Sequence, residues 1–121
     1  MEYKMIERTK QRIKDNGEVF TPIELVCTML DSLNIDWENP PLDKTWLDPT
    51  CGEGVFLLEL ARRGIPLHNL FGVDLMPDNI ECLKIQLIQH FGDTEENVET
   101  VNANIRCANA MFYDYSFRKE Q

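Results

Sequence analysis

The chain has 121 residues, 43% of them apolar, and a formal net charge of −9. That is enough for one domain with a core and short for a complete nucleotide-binding α/β enzyme. No stretch reaches the length of a membrane span and no basic-then-apolar leader opens the sequence, so the expectation is a cytoplasmic protein without a membrane partner.

Charge is divided unevenly along the chain. Residues 1–16 hold five Lys/Arg and three Asp/Glu, whereas residues 17–121 hold seven and eighteen. The natural division is a basic amino-terminal arm or helix, 1–16, followed by an acidic domain, 17–121. Nonspecific affinity for nucleic acid comes mainly from cations that neutralise phosphates, so the acidic body is expected to reach DNA only through a partner. Cys27, Cys51, Cys82 and Cys107 stand 24, 31 and 25 residues apart, which fits no zinc or redox spacing, and no metal site is expected.

In chain order, Tyr3, Ile6 and Ile13 form a narrow apolar stripe among basic residues, and Asn16-Gly17 stops it. Thr21-Pro22-Ile23-Glu24 has the pattern of a capping box with proline at the first helical position, and Ile23, Val26, Cys27, Leu30 and Leu33 predict a helix from about 22 to 33. Residues 34–44, with Asn39-Pro40-Pro41, read as a loop.

The organising stretch follows, Trp46-Leu47-Asp48-Pro49-Thr50-Cys51-Gly52-Glu53-Gly54-Val55-Phe56. A short strand ends in a carboxylate, two glycines tighten the turn, and an apolar helix begins at Val55 and stops at Gly64. Glycine at 52 and 54 removes Cβ, so a ligand is expected to lie against bare backbone at a helix N-terminus. Leu57 stands where a dinucleotide fingerprint requires its third glycine, and no Gly-Lys-Ser/Thr follows, so neither a pyrophosphate fingerprint nor a P-loop is present.

Leu70–Leu75 forms a second strand ending at Asp74, 20 residues after Gly54. A carboxylate there can accept two hydrogen bonds from a ribose diol. Pro77 opens a helix with Ile80, Leu83, Leu87 and Phe91 on one stripe, closed by Gly92. The acidic stretch 93–100 reads as a solvated loop, and residues 105–110 as a third strand.

Asp48-Pro49-Thr50-Cys51-Gly52-Glu53-Gly54 resembles the first motif of the S-adenosylmethionine-dependent DNA methyltransferases that modify exocyclic amino groups, especially the adenine-modifying branch. Gly17-Glu18-Val19-Phe20-Thr21-Pro22 is similar to that family's amino-terminal motif, which lies against the methionine part of the cofactor. The resemblance implies a ribose contact for Asp74, an adenine contact for Leu75, and a place near the adenine amino group for Asn109. The implied cofactor site is Phe20, Thr21, Pro22, Asp48, Pro49, Cys51, Gly52, Gly54, Asp74, Leu75 and Asn109. The implied fold is α/β, a class I methyltransferase domain of Rossmann type, truncated to about three parallel strands with flanking helices.

The family's catalytic Asn/Asp/Ser-Pro-Pro-Tyr/Phe segment, which binds the target amino group and stacks on the flipped base, does not occur in these 121 residues. No catalytic residue is therefore assigned. The chain is expected to be inactive alone and to work as the cofactor half of an adenine methyltransferase completed by further polypeptide. The alternative is a noncatalytic regulatory or interaction protein that sequesters cofactor or opposes restriction. In the family's sheet the first strand is central, so a sheet of three strands would leave Trp46-Leu47 as an open edge inviting a homo-oligomer or a second polypeptide. The carboxyl-terminal stretch Met111–Lys119, with four of the chain's eleven aromatic residues, is a candidate cover for that edge or a docking segment.

Overall fold

The computed structural model describes residues 21–117. The basic stripe of residues 1–16 and Phe20 lie outside the described residues. Helix α1 (Ile23–Asp31) leads into a long loop and strand β1 (Trp46–Asp48). Helix α2 (Val55–Arg62), a 3-10 turn (Leu67–Asn69) and strand β2 (Leu70–Asp74) follow. Helices α3 (Pro77–Phe91) and α4 (Glu95–Asn104) then precede strand β3 (Ile105–Cys107). The three strands are parallel in the order β1-β2-β3, with Trp46 opposite Leu70 and Gly72 opposite Ile105. This is the expected truncated α/β sheet with flanking helices, and β1 is one of its edges. Among the described residues no helix is long and apolar enough to cross a membrane.

All four helices feed one core. Val26 and Leu30 of α1, Leu57, Leu58 and Leu60 of α2, Leu83 and Leu87 of α3, and Val101 of α4 join Leu70 and Ile105 in a single cluster. Each fully buried Leu or Ile contributes about 1.5–3 kcal/mol in this transfer. Strand alternation sends Leu70 and Gly72 toward these helices. A Cβ on Gly72 would stand 2.8 Å from Leu57 Cδ1 and 3.2 Å from Cys51 Sγ, so its absence is what lets α2 and the glycine loop settle on the sheet.

The opposite face, bearing Leu47, Phe71 and Val73, is covered differently. Phe117 packs on Phe71 with ring centroids 4.9 Å apart, and Tyr113 stacks edge-on to Phe117 at 5.2 Å. Phe117, with Tyr113 against it, thus lies on the central strand of the sheet, while Phe112 of the same stretch stands exposed.

Three local expectations are corrected. Pro22, with extended φ and ψ of −62° and 144°, is itself the N-cap of α1, which has no side-chain cap bond, so the Thr21–Glu24 capping box does not form. The helix also ends at Asp31: the Ser32 N–H donates to Thr28 O, and Leu33 leaves the stripe to stand half exposed. Most of the acidic stretch 93–100 is helical, because Thr94 Oγ1 accepts from the Asn97 N–H at 3.1 Å and starts α4, whose Val101 is buried.

A charge cluster centred on the buried Glu59 joins α1 to α2. Glu59 is 1% exposed and accepts from both Arg62 and Arg63; Arg63 also bonds Asp31 at 2.7 Å and lies 4.9 Å over the Trp37 ring. Pairing is what makes a buried carboxylate tolerable here.

Candidate functional site

The carboxyl ends of the parallel strands carry two acids on one face, Asp48 at the end of β1 and Asp74 at the end of β2. Between them runs the loop Pro49–Gly54. The Thr50 N–H donates to Asp48 Oδ1 at 3.1 Å, and the Cys51 N–H to Val73 O at 2.8 Å, so the loop continues the sheet's bonding before it turns. Gly52 and Gly54 take φ of +53° and +84°, values that favour glycine.

The two glycines do different work. Gly54 is the N-cap of α2, and a Cβ on it would lie 2.3 Å from Leu83 Cδ1, so the space over it belongs to α3. The expectation of a ligand against bare backbone at Gly54 is therefore corrected: the missing side chain there admits Leu83. Gly52 does face the cavity, and its N–H donates to Asp74 Oδ1 at 3.1 Å.

Asp74 is held by three donors. Besides Gly52, the Met76 N–H and Asn79 Nδ2 reach its Oδ2, both at 3.0 Å. A carboxylate offers about four acceptor positions, so roughly one is left for a ligand hydroxyl while the loop stays clasped. Acceptance of both hydroxyls of a diol, the expectation for this residue, requires the Gly52 N–H to yield its position.

A cavity of about 250 Å³ lies beside the loop, lined by Thr21, Asp48, Thr50, Cys51, Gly52 and Glu53 with Val55 and Phe56. It suits a group the size of an amino acid, below the 300–1,000 Å³ typical of whole small-molecule sites. The N-terminus of α2 has no side-chain cap and opens beside it, a setting that favours a carboxylate ligand.

Burial raises the carboxyl of Asp48 above its ordinary range; the Thr50 N–H opposes this and the nearby charge of Asp74 adds to it. Burial, reinforced by Asp48 and Asp74, pushes the Cys51 thiol far up as well, which makes Cys51 an inert wall. The partly desolvated Asp48 carboxylate, with the charge of Asp74 nearby, would be relieved by a cation.

Of the expected site residues, Thr21, Asp48, Cys51 and Gly52 line this cavity, and Asp74 is bonded to its rim. Leu75 is 55% exposed at the end of β2. Asn109 sits two residues beyond β3, which ends at Cys107, and its Oδ1 accepts from the Met111 N–H in a turn. The expected strand 105–110 is thus halved, because the Ala108 N–H closes the ladder on Asp74 O and the Asn109 turn follows. Pro22 and Pro49 adjoin the cavity residues in sequence and are absent from its lining.

Thr50, Glu53, Val55 and Phe56 of the lining and Asn79 beside Asp74 were not expected from sequence, and two of these are buried and polar. Glu53 lines the cavity and is 3% exposed; its signal was an acid between two loop glycines. Asn79 is fully buried beside Asp74; its signal was a polar residue on the stripe of Leu83 and Leu87.

A parallel sheet with helices on one face, a glycine loop after the first strand and an acid ending each of the first two strands define a Rossmann-like methyltransferase domain cut to three strands. The sequence model of the family described as N-6 DNA Methylase matches residues 1–119. The chain belongs to that family.

Curated relatives agree. The chain is 32% identical over 83 residues to the type II methyltransferase M.VspI of Vibrio sp. (strain 343), covering 69% of this chain and 19% of that one. It is 34% identical over 91 residues to the type I restriction enzyme MjaVII methylase subunit of Methanocaldococcus jannaschii, covering 71% and 15%. An uncharacterized adenine-specific methylase of Mycoplasma pneumoniae is 46% identical over 52 residues, 40% of this chain and 12% of that one. The chain therefore spans less than a fifth of the length of these relatives. No solved structure matches.

Proposed function

We propose that this chain is the S-adenosylmethionine-binding half of an adenine DNA methyltransferase, with the groups that hold the target base supplied by polypeptide outside these residues. One observation carries the reading: the Gly52 N–H is bonded to Asp74 Oδ1, so the β2 acid is tied to the glycine loop that lines the cavity. The fit to the cofactor is chemical. The cavity has the size of a methionyl group, the Asp48 carboxylate in its wall welcomes its ammonium, and the uncapped N-terminus of α2 welcomes its carboxylate.

When bound, the cofactor supplies the electrophilic methyl group. In this reading the chain's own residues bind and orient. Asp74 takes a ribose hydroxyl at the acceptor position left to it, and Leu75 offers its exposed apolar surface to the adenine. Asn109 and Phe20 keep the roles that family resemblance gives them. DNA is gripped elsewhere, in keeping with the net charge of −9.

The test is equilibrium binding of S-adenosylhomocysteine to the wild-type chain and to Asp74→Ala. Loss of a hydrogen bond to a charged acceptor is worth roughly 1.5–3 kcal/mol, or about one to two powers of ten in affinity. Equal affinities in the two proteins would remove the ribose assignment.

A further inference from the structure

Asn79 stands third in α3, on the buried stripe that continues through Leu83 and Leu87. An apolar side chain would satisfy that pattern, and an amide in its place costs free energy unless its polar atoms are bonded. Asn79 is fully buried, and its Nδ2 donates to Asp74 Oδ2 at 3.0 Å. Helical side chains lean toward the helix N-terminus, so this third residue reaches back past the N-cap, Met76, to the end of β2.

The backbone of Asp74 is fixed independently. It lies opposite Cys107 in the β2–β3 ladder, and its carbonyl accepts from the Ala108 N–H at 2.9 Å. What the ladder leaves open is rotation of the carboxylate, and the three donors close it unevenly. Oδ2 accepts from the Met76 N–H and from Asn79, which fills both of its acceptor positions. Among the described residues Oδ1 accepts from the Gly52 N–H alone and keeps one position open. The Met76 bond is local to the turn and the Gly52 bond belongs to the loop at the cavity. Asn79 ties the carboxylate to the packed core.

We propose that Asn79 is the positioning residue of the ribose contact: by holding Oδ2 inward it presents Oδ1 alone to the ligand, so that Asp74 selects one hydroxyl of the diol. This rests on the reading of the cavity as an S-adenosylmethionine site and adds to it a choice between the two hydroxyls. Without Asn79 the carboxylate turns about its Cβ–Cγ bond, either oxygen comes forward, and the preference is lost.

The test is calorimetric binding of S-adenosylhomocysteine and of its 2′-deoxy and 3′-deoxy forms to the full chain. In wild type one deoxy compound binds at least about tenfold more weakly than the other, the worth of a hydrogen bond to a charged acceptor. In Asn79→Ala the two differ by less than about threefold. Asn79→Val, nearer in volume, repeats the measurement with the stripe filled, and circular dichroism confirms the fold of each variant. In Asp74→Ala the acceptor is gone, the two deoxy forms bind alike, and adding Asn79→Ala leaves their ratio unchanged. A residue that only fills the core would lower the melting temperature and scale all three affinities by one factor. An undiminished ratio in the folded Asn79 variants therefore overturns the proposal, as does equal weakening of both deoxy forms in wild type. Both results leave the cofactor reading standing, because the parent compound still binds. A folded wild-type chain that binds none of the three compounds overturns that reading and this proposal with it.

Discussion

Gly54→Ala tests how the glycine loop is held to the rest of the fold. Gly54 has φ of +84°, a region that costs a residue with a Cβ about 1–2 kcal/mol. The new methyl would also stand 2.3, 2.8 and 2.9 Å from Cδ1, Cδ2 and Cγ of Leu83, which is fully buried and has no room to retreat as a whole. Overpacking of this kind costs about 1–3 kcal/mol. Together the two effects predict a loss of about 2–5 kcal/mol, seen as a fall in melting temperature of roughly 8–20 °C for a domain of this size. Urea and thermal unfolding followed by circular dichroism measure it. Leu83→Ala alone should cost about 2–5 kcal/mol, and the double variant should be less damaged than the sum, with a coupling of about 0.5–3 kcal/mol. A change below about 0.5 kcal/mol for Gly54→Ala, or strict additivity with Leu83→Ala, would refute the account of Gly54 as a packing glycine.

Three further outcomes follow from the site. Because burial raises the Asp48 carboxyl, its ionisation opposes folding: the favourable contribution is complete below the ordinary value of 3.8 and is lost as pH rises through the folded value. Asp48→Asn should thus be more stable than wild type near neutral pH, with the gap closing in acid; urea melts across pH would show the reverse order if the reasoning fails. The same carboxylate attracts a cationic ligand, so wild-type affinity for S-adenosylmethionine should fall as pH drops through that folded value, and a flat profile in Asp48→Asn would identify the group. With a thiol reagent, exposed Cys107 should react first and buried Cys51 only on unfolding; mass-mapped early labelling of Cys51 would contradict its place under the loop.

Much of the fold was legible because its signals are local. The acid that ends β1, the glycine stop after α3 and the proline that opens it each impose a backbone state on their own neighbours. Helix α4 was not legible, since Glu95–Asn104 has only Val98, Val101 and Ala103 as apolar residues and its start rests on a single Thr94 cap bond. The Thr21 capping box was legible and misleading: Pro22 holds an extended backbone, and the helix begins one residue later.

At the site, sequence spacing could order Asp48, Gly52 and Asp74 along the chain but could not foresee the bond from Gly52 to Asp74, across 22 residues of sequence. Nor could it separate the roles of two glycines in one motif. That distinction depends on Leu83, 29 residues beyond Gly54, arriving over one glycine and leaving the other to the cavity.

The most direct measurement is titration calorimetry of the purified chain with S-adenosylmethionine and S-adenosylhomocysteine, with light scattering on the same sample. The account predicts one site per chain and a dissociation constant of about 1–100 μM, corresponding to roughly −8 to −5.5 kcal/mol. A folded, monodisperse chain that binds neither compound would contradict it.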